Sequence, residues 1–229
     1  VIKVYLNPDC LPDIQRERDL ARRAFVLGIP TAISYDVARV GDSFGSVFEL
    51  LEASSFSRLI MEDTANRAHW VTEYALLLKK IHDTEVRRDD MPDVRGRVKG
   101  WVDVVRPFLS PADAAKMDKL LHDLPERVHM LHIDFHTNNV MLQNGETLLI
   151  DMDTLAVGHP VLEFASIYNA YLGFSALRHE NVRSFLGFDY ETGLRLWQDT
   201  LRLYYGTEDE SVIASILSRL SETASGLAD

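Results

Sequence analysis

The dipeptide Asn144-Gly145 limits the fold of this chain more than any other local feature. It separates Val140-Met141-Leu142-Gln143 from Thr147-Leu148-Leu149-Ile150. Asn and Gly both tolerate positive φ, which the tight turn of a two-stranded antiparallel hairpin requires. The spacing therefore predicts a hairpin over 140–150. Polar residues crowd its mouth: Asp134 in the segment before it, Asn139 at the start of the first strand and Asp151 at the end of the second. The start of one hairpin strand and the end of the other are neighbours, so Asn139 and Asp151 are expected side by side. Two oxygen ligands on adjacent strands, completed by water and phosphate oxygens, suit Mg²⁺ held against a nucleotide. Asp134, close by on the loop, is placed to accept a proton from an attacking hydroxyl.

The rest of the chain predicts an α+β protein. A strand over 1–6 precedes a helix from Pro12 to Leu27 that Gly28 closes. Two strands, 31–38 and 45–51, flank the turn Gly41-Asp42, and helices begin near Ser54. Thr64 or Asn66 caps a helix ending near His82, with Tyr74, Leu77, Leu78 and Ile81 on its apolar face. His82 itself is assigned no function beyond a cation at a helix end. Residues 87–92 read as a loop, Ser110-Pro111-Ala112-Asp113 starts a helix running to about Asp123, and 128–131 is a strand. After Pro160 the pattern is helical to the C-terminus.

At 46% hydrophobic and 26% charged residues, the 229-residue chain has the composition of a packed protein. Its net charge of -11 opposes nucleic-acid backbones and anionic lipid, so neither nucleic acid nor membrane is an expected partner. The lone Cys10 and the lack of a membrane-length apolar run point to a cytoplasmic protein. Val1-Ile2-Lys3-Val4 reads as the middle of a β element, and residues upstream of it are expected.

His132, Asp134 and Asn139 have the spacing H-x-D-x-x-x-x-N of a kinase catalytic loop, and Asp151 stands where that fold carries its metal-binding Asp. The variant Asp134-Phe135-His136-Thr137-Asn138-Asn139 resembles the aminoglycoside phosphotransferase and choline kinase-like group. So does 158–165, Gly-His-Pro-Val-Leu-Glu-Phe-Ala, which is similar to that group's G-D-P-x-x-D-L-A. The resemblance implies a protein-kinase-like two-lobed fold. Residues 1–51 would form a small β-rich, nucleotide-binding N-lobe, incomplete at its N-terminus; 52–229 would form a mainly helical C-lobe carrying the catalytic loop, metal site and substrate helices. It implies ATP in the cleft, with Lys3 on the α/β-phosphates, Glu17 as the salt-bridge partner of Lys3, and the backbone of Glu49 and Leu51 on adenine. Asn139 and Asp151 would hold Mg²⁺, and Asp134 would be catalytic. The phosphate-cradling loop is expected before Val1. Only residues 152–157 separate Asp151 from Gly158, too few for a peptide platform, so the resemblance implies a small-molecule hydroxyl acceptor of aminoglycoside, choline or sugar type. Ile133 replaces the group's usual Gly or Arg, Asn138 a common Gly, and His159 and Glu163 each replace Asp.

Two readings compete. His132-x-Asp134-x-His136 would put three ligands on one face of a strand, as in a metal-dependent hydrolase, but leaves Asn139, Lys3 and Glu17 unexplained. A catalytically silent nucleotide-binding protein of the same fold would accommodate the changes at Ile133 and Asn138. His132 reads as a buried brace of the loop rather than a proton carrier. Tyr190, Trp197, Tyr204 and Tyr205, near Glu208-Asp209-Glu210, fit either helix core or a pocket for a cation.

Overall fold

The computed structural model describes residues 1–176, 178–209 and 211–215; Glu210 and the expected C-lobe end over 216–229 lie outside the described residues. β1 (Ile2–Val4) and β2 (Asp36–Val40) both pair antiparallel with β3 (Ser43–Val47), giving the order β1-β3-β2. Lys3 faces Ser46 across the first pairing. α1 (Leu11–Val26) lies on this sheet, with Pro12 and Asp13 in its first turn and Arg23 in its last, as a helix dipole favours. Its buried residues Ile14, Glu17, Ala21 and Ala24 recur at helical spacing and include one carboxylate.

β2 and β3 hug their turn more closely than the expected strands 31–38 and 45–51. The reason is competition for partners. The Leu149 N–H donates to the Pro30 carbonyl at 2.8 Å and the Ala32 N–H donates to the Leu149 carbonyl at 3.3 Å, so residues 30–32 pair with the hairpin instead of β3. Phe48 still exchanges two bonds with Val1, each at 2.8 Å, and residues 49–53 then leave the sheet.

Beyond them come β4 (Ser54–Ser55), α2 (Phe56–Glu62), α3 (Arg67–Asp83), α4 (Val94–Val105), α5 (Pro111–Asp123), β5 (His129–Leu131), β6 (Val140–Gln143), β7 (Glu146–Leu149), β8 (Ala156–Gly158), α6 (Val161–Tyr171), α7 (Glu180–Leu186) and α8 (Tyr190–Tyr205). β4-β6-β7 form one small sheet and β5-β8 another. The hairpin forms where expected, with Asn144 at φ 52° and Gly145 at φ 81°. α3 packs on α8 over a core that includes Tyr74, Leu78, Phe135, Phe164 and Trp197. Among the described residues no helix is long and apolar enough to cross a membrane.

α4 has no counterpart among the expected elements. Gly96, Gly100 and five valines give the segment weak helix propensity. Packing overrides it: Val94, Val98 and Val102, four residues apart, are buried in a second core with Met117, Leu131, Ile133 and Leu162. Asp93 caps the helix by accepting from the Arg95 N–H at 2.8 Å. α4 approaches β8 so closely that a Cβ at Gly158 would collide with the Val94 side chain. Gly158→Ala should therefore lower unfolding free energy by about 1–3 kcal/mol, as overpacking does. Adding Val94→Ala should return part of that loss in urea denaturation; simple additivity of the two changes would refute the contact.

Candidate active site

A cleft of about 350 Å³ is lined by Lys3, Glu17, Glu49, Leu51, Asn139 and Asp151, together with apolar side chains including Ala21 and Met152. Six of the seven residues singled out in the sequence thus share one cavity, although they span 148 positions from Lys3 to Asp151. Lys3 Nζ is the link. It donates to Glu17 Oε1 at 3.0 Å and Oε2 at 3.2 Å, and to Asp151 Oδ1 at 2.5 Å. Burial works against the ammonium charge, but its bond to Asp151 and the charge of Glu17 outweigh it, so the Lys3 pKa lies above its ordinary value. Tyr5, which the sequence did not point to, also donates its hydroxyl to Glu17. β3 ends at Val47, so Glu49 and Leu51 lie beyond the ladder, where they line the cleft.

The catalytic-loop segment follows β5. Ile133 has φ 68°, a left-handed conformation that costs a β-branched residue about 1–2 kcal/mol. Its side chain is buried in the second core, and side chains hold the backbone of both Ile133 and His132. Glu163 Oε1 accepts the Ile133 N–H at 2.6 Å, Glu163 Oε2 accepts the His132 N–H at 2.7 Å, and Ser166 Oγ donates to the Ile133 carbonyl at 2.7 Å. His132 is fully buried with Nε2 3.1 Å from the Ile150 carbonyl, as expected of a brace.

Asp134 comes next. Asn139 Nδ2 donates to its carbonyl at 2.9 Å and to Oδ2 at 3.1 Å, and His136 Nε2 lies 3.5 Å from Oδ1. Burial pushes the Asp134 carboxyl up, but the His136 and Asn139 bonds and the proximity of His132 prevail, and it is held below its ordinary value. Asp134 is therefore a carboxylate at neutral pH. His136 packs edge-on against Phe185, and Asn138 Nδ2 donates to the Phe185 carbonyl at 2.8 Å, so both are tied to α7.

Two expectations need correction. Asn139 and Asp151 are not directly opposite: the register pairs Val140 with Leu149, and the Ile150 N–H donates to the Asn139 carbonyl, so Asn139 faces Ile150. Asp151, at φ 62°, turns out of the strand and meets Lys3 while Asn139 meets Asp134. The hydrolase reading fails on geometry. β5 ends at Leu131 and the left-handed Ile133 breaks the alternation that would align His132, Asp134 and His136. Among the described residues no three His, Cys, Asp or Glu side chains converge as a metal cage. The Asn139 and Asp151 donors are hard oxygens: the Asn139 amide nitrogen is committed to Asp134, which leaves its Oδ1, and Asp151 keeps a second carboxylate oxygen. Such a pair fits Mg²⁺ rather than a softer metal.

Of the α8 aromatics only Trp197 is core; Tyr190 and Tyr204 are half-buried against it and Tyr205 is exposed. Trp197 is 1% exposed, Tyr190 stacks on His179, and Tyr204 meets Phe164 edge-on. Neither Glu163 nor His82 is among the expected site residues: Glu163 is signalled through the 158–165 motif, where it replaces Asp, and His82 only as an imidazole on the apolar face of α3, where burial demands a partner.

The chain matches the phosphotransferase enzyme family over residues 1–197 and belongs to that family. No curated protein matches it in sequence. In structure it is similar to a thermostable mutant of aminoglycoside phosphotransferase APH(4)-Ia, with TM-score 0.53 and 17% identity over 96% of this chain and 82% of that one. It is also similar to APH(2")-IIa in its streptomycin–ATP ternary complex, with TM-score 0.58 and 15% identity over 96% and 75%. An ethanolamine kinase of Plasmodium vivax gives TM-score 0.59 and 13% identity over 93% of this chain and 63% of that chain. The fold is the two-lobed, protein-kinase-like one, and the protein is a phosphotransferase.

His136→Leu should raise the titration midpoint of the Asp134 carboxyl, because it removes a bond to the charged form and leaves the burial. A pH titration of the Asp134 carboxyl carbon by NMR measures this; an unmoved midpoint would place the cause elsewhere.

Proposed function

We propose that the protein transfers the γ-phosphoryl group of ATP to a hydroxyl of a small molecule, an aminoglycoside-, choline- or sugar-like alcohol, with Asp134 as the proton acceptor. The observation that carries this reading is the Lys3–Glu17–Asp151 contact. It gathers a cation and two carboxylates from three distant segments into the cleft that Asn139 also lines. Only Glu17 is buried; the Lys3 and Asp151 side chains stay 36% and 40% exposed, so packing against the core does not account for their meeting.

In the proposed reaction the adenine lies against the 49–51 strap, bonded by the Glu49 carbonyl and the Leu51 N–H. Residues 1–51 would serve as the nucleotide lobe and residues from 52 onward as the catalytic one. Lys3, fixed in direction by Glu17, neutralises charge on the α/β-phosphates. Asn139 and Asp151 would hold Mg²⁺, which when bound neutralises phosphate charge. Asp134 orients the acceptor hydroxyl and takes its proton, while Asn139 and His136 keep the carboxylate in place.

Asp134→Ala should lower kcat by about 100-fold or more while nucleotide affinity stays nearly unchanged. Asp151→Ala should abolish the Mg²⁺ dependence of ATP binding in calorimetry. Wild-type turnover in the first variant would remove Asp134 from its role. The acceptor is found by measuring ADP release across a panel of aminoglycosides, amino alcohols and sugars. ATP binding without turnover on every member would favour the silent nucleotide-binding alternative.

A further inference from the structure

Tyr5 lies two residues beyond Lys3, and the pairing of β1 continues through it. Its N–H donates to the Phe44 carbonyl at 3.1 Å, and its carbonyl accepts from Ser43 Oγ at 2.6 Å. Residues two apart on a strand share a face, so Lys3 and Tyr5 both meet α1. Glu17 is where they meet it. Its Oε1 and Oε2 accept from Lys3 Nζ, and Oε2 also accepts the Tyr5 hydroxyl. The Tyr5 ring contributes too: Lys3 Nζ is 5.5 Å from its centroid, within the range over which an aromatic face attracts an ammonium. Burial and the bond to Glu17 push the Tyr5 hydroxyl up to about 12, so it is a donor at neutral pH.

The two acids that share Lys3 are not equivalent. Glu17 is buried, whereas Asp151 stays partly exposed to whatever enters the cleft. In the proposed reaction the α/β-phosphates take Lys3 and a cation takes Asp151, so the Lys3–Asp151 pair is given up and the Lys3–Glu17 pair is kept. The released ammonium then has two neighbours anchored to the small lobe, the Glu17 carboxylate and the Tyr5 ring. Tyr5 acts on both. Its hydroxyl occupies Oε2 and leaves Oε1 facing Lys3 at 3.0 Å, which fixes the turn of the carboxylate. Its ring draws the ammonium to the same side.

We propose that Tyr5 is a positioning residue for the triphosphate: it keeps Glu17 and Lys3 together as one unit when Lys3 gives up Asp151, so that the ammonium meets the phosphates already aimed. The inference rests on Lys3 as the phosphate contact, but its structural half can be read with no nucleotide present.

Asp151→Ala imitates the released state. In that background, adding Tyr5→Phe should speed exchange of the Lys3 ammonium protons with water about tenfold, read at the Lys3 Nζ resonance by NMR. With Asp151 in place, Tyr5→Phe should do much less. Calorimetry supplies a second arm. Tyr5→Phe should weaken ATP binding about fivefold and leave adenosine within about twofold, because adenosine carries no phosphate for Lys3. A merely structural role in the small lobe predicts that ATP and adenosine lose affinity together. In a Glu17→Gln background the further loss on adding Tyr5→Phe should shrink to less than about twofold. Lys3 exchange indifferent to Tyr5→Phe in Asp151→Ala protein would overturn the proposal, as would an equal loss of ATP and adenosine or full additivity with Glu17→Gln. ATP binding no tighter than adenosine in the wild-type protein would instead sink the phosphate role of Lys3, and the exchange rates would still decide whether Tyr5 holds the pair.

Discussion

One ammonium group joins the parts of this site. Lys3 lies on β1, its partner Glu17 on α1, and its second partner Asp151 just past the hairpin, 148 residues away. Three segments that share no local pattern therefore meet through a single nitrogen. The geometry is selective because both acids approach within hydrogen-bonding distance, and a lone surface pair would contribute little. Tyr5 and the buried face of α1 supply the rigidity, since Glu17 is nearly inaccessible and cannot turn to another partner.

What the sequence made readable was local. The Asn144-Gly145 turn announces its hairpin because positive φ at two successive residues is a strong demand that few dipeptides meet. The spacing of His132, Asp134 and Asn139 is equally local, and the loop does bring Asp134 and Asn139 into contact. Lys3 and Glu17 were readable only through resemblance to a family, because an isolated lysine on a strand and an acid on a helix carry no signal of each other. α4 was invisible for the opposite reason: its glycines and valines disfavour a helix locally, and only burial of Val94, Val98 and Val102 against Leu131 and Leu162 makes it one. The His82–Glu163 contact joins residues 81 positions apart on different helices. No spacing rule reaches that far.

The substitutions that set this chain apart from its group's usual motif become intelligible together. Ile133 occupies a left-handed position that glycine would take without strain, yet its side chain fills the second core beneath α4. Glu163, one methylene longer than the usual Asp, reaches two consecutive amides and an imidazole at once. Asn138 is bound to the Phe185 carbonyl instead of providing flexibility. These three residues are each tied into the fold around the loop, and none takes a group from the cleft.

The pairing of residues 30–32 with Leu149 bears on how the two lobes move. The chain crosses between them once, along the 48–53 strap, and this strap is pinned by β3 at one end and β4 at the other. The short seam at Pro30, Ala32 and Leu149 adds a second attachment beside it. The ion pairs Lys3–Asp151 and Arg23–Asp90 tie the same boundary at two further points, so the segments on either side are held along its length and not by the strap alone.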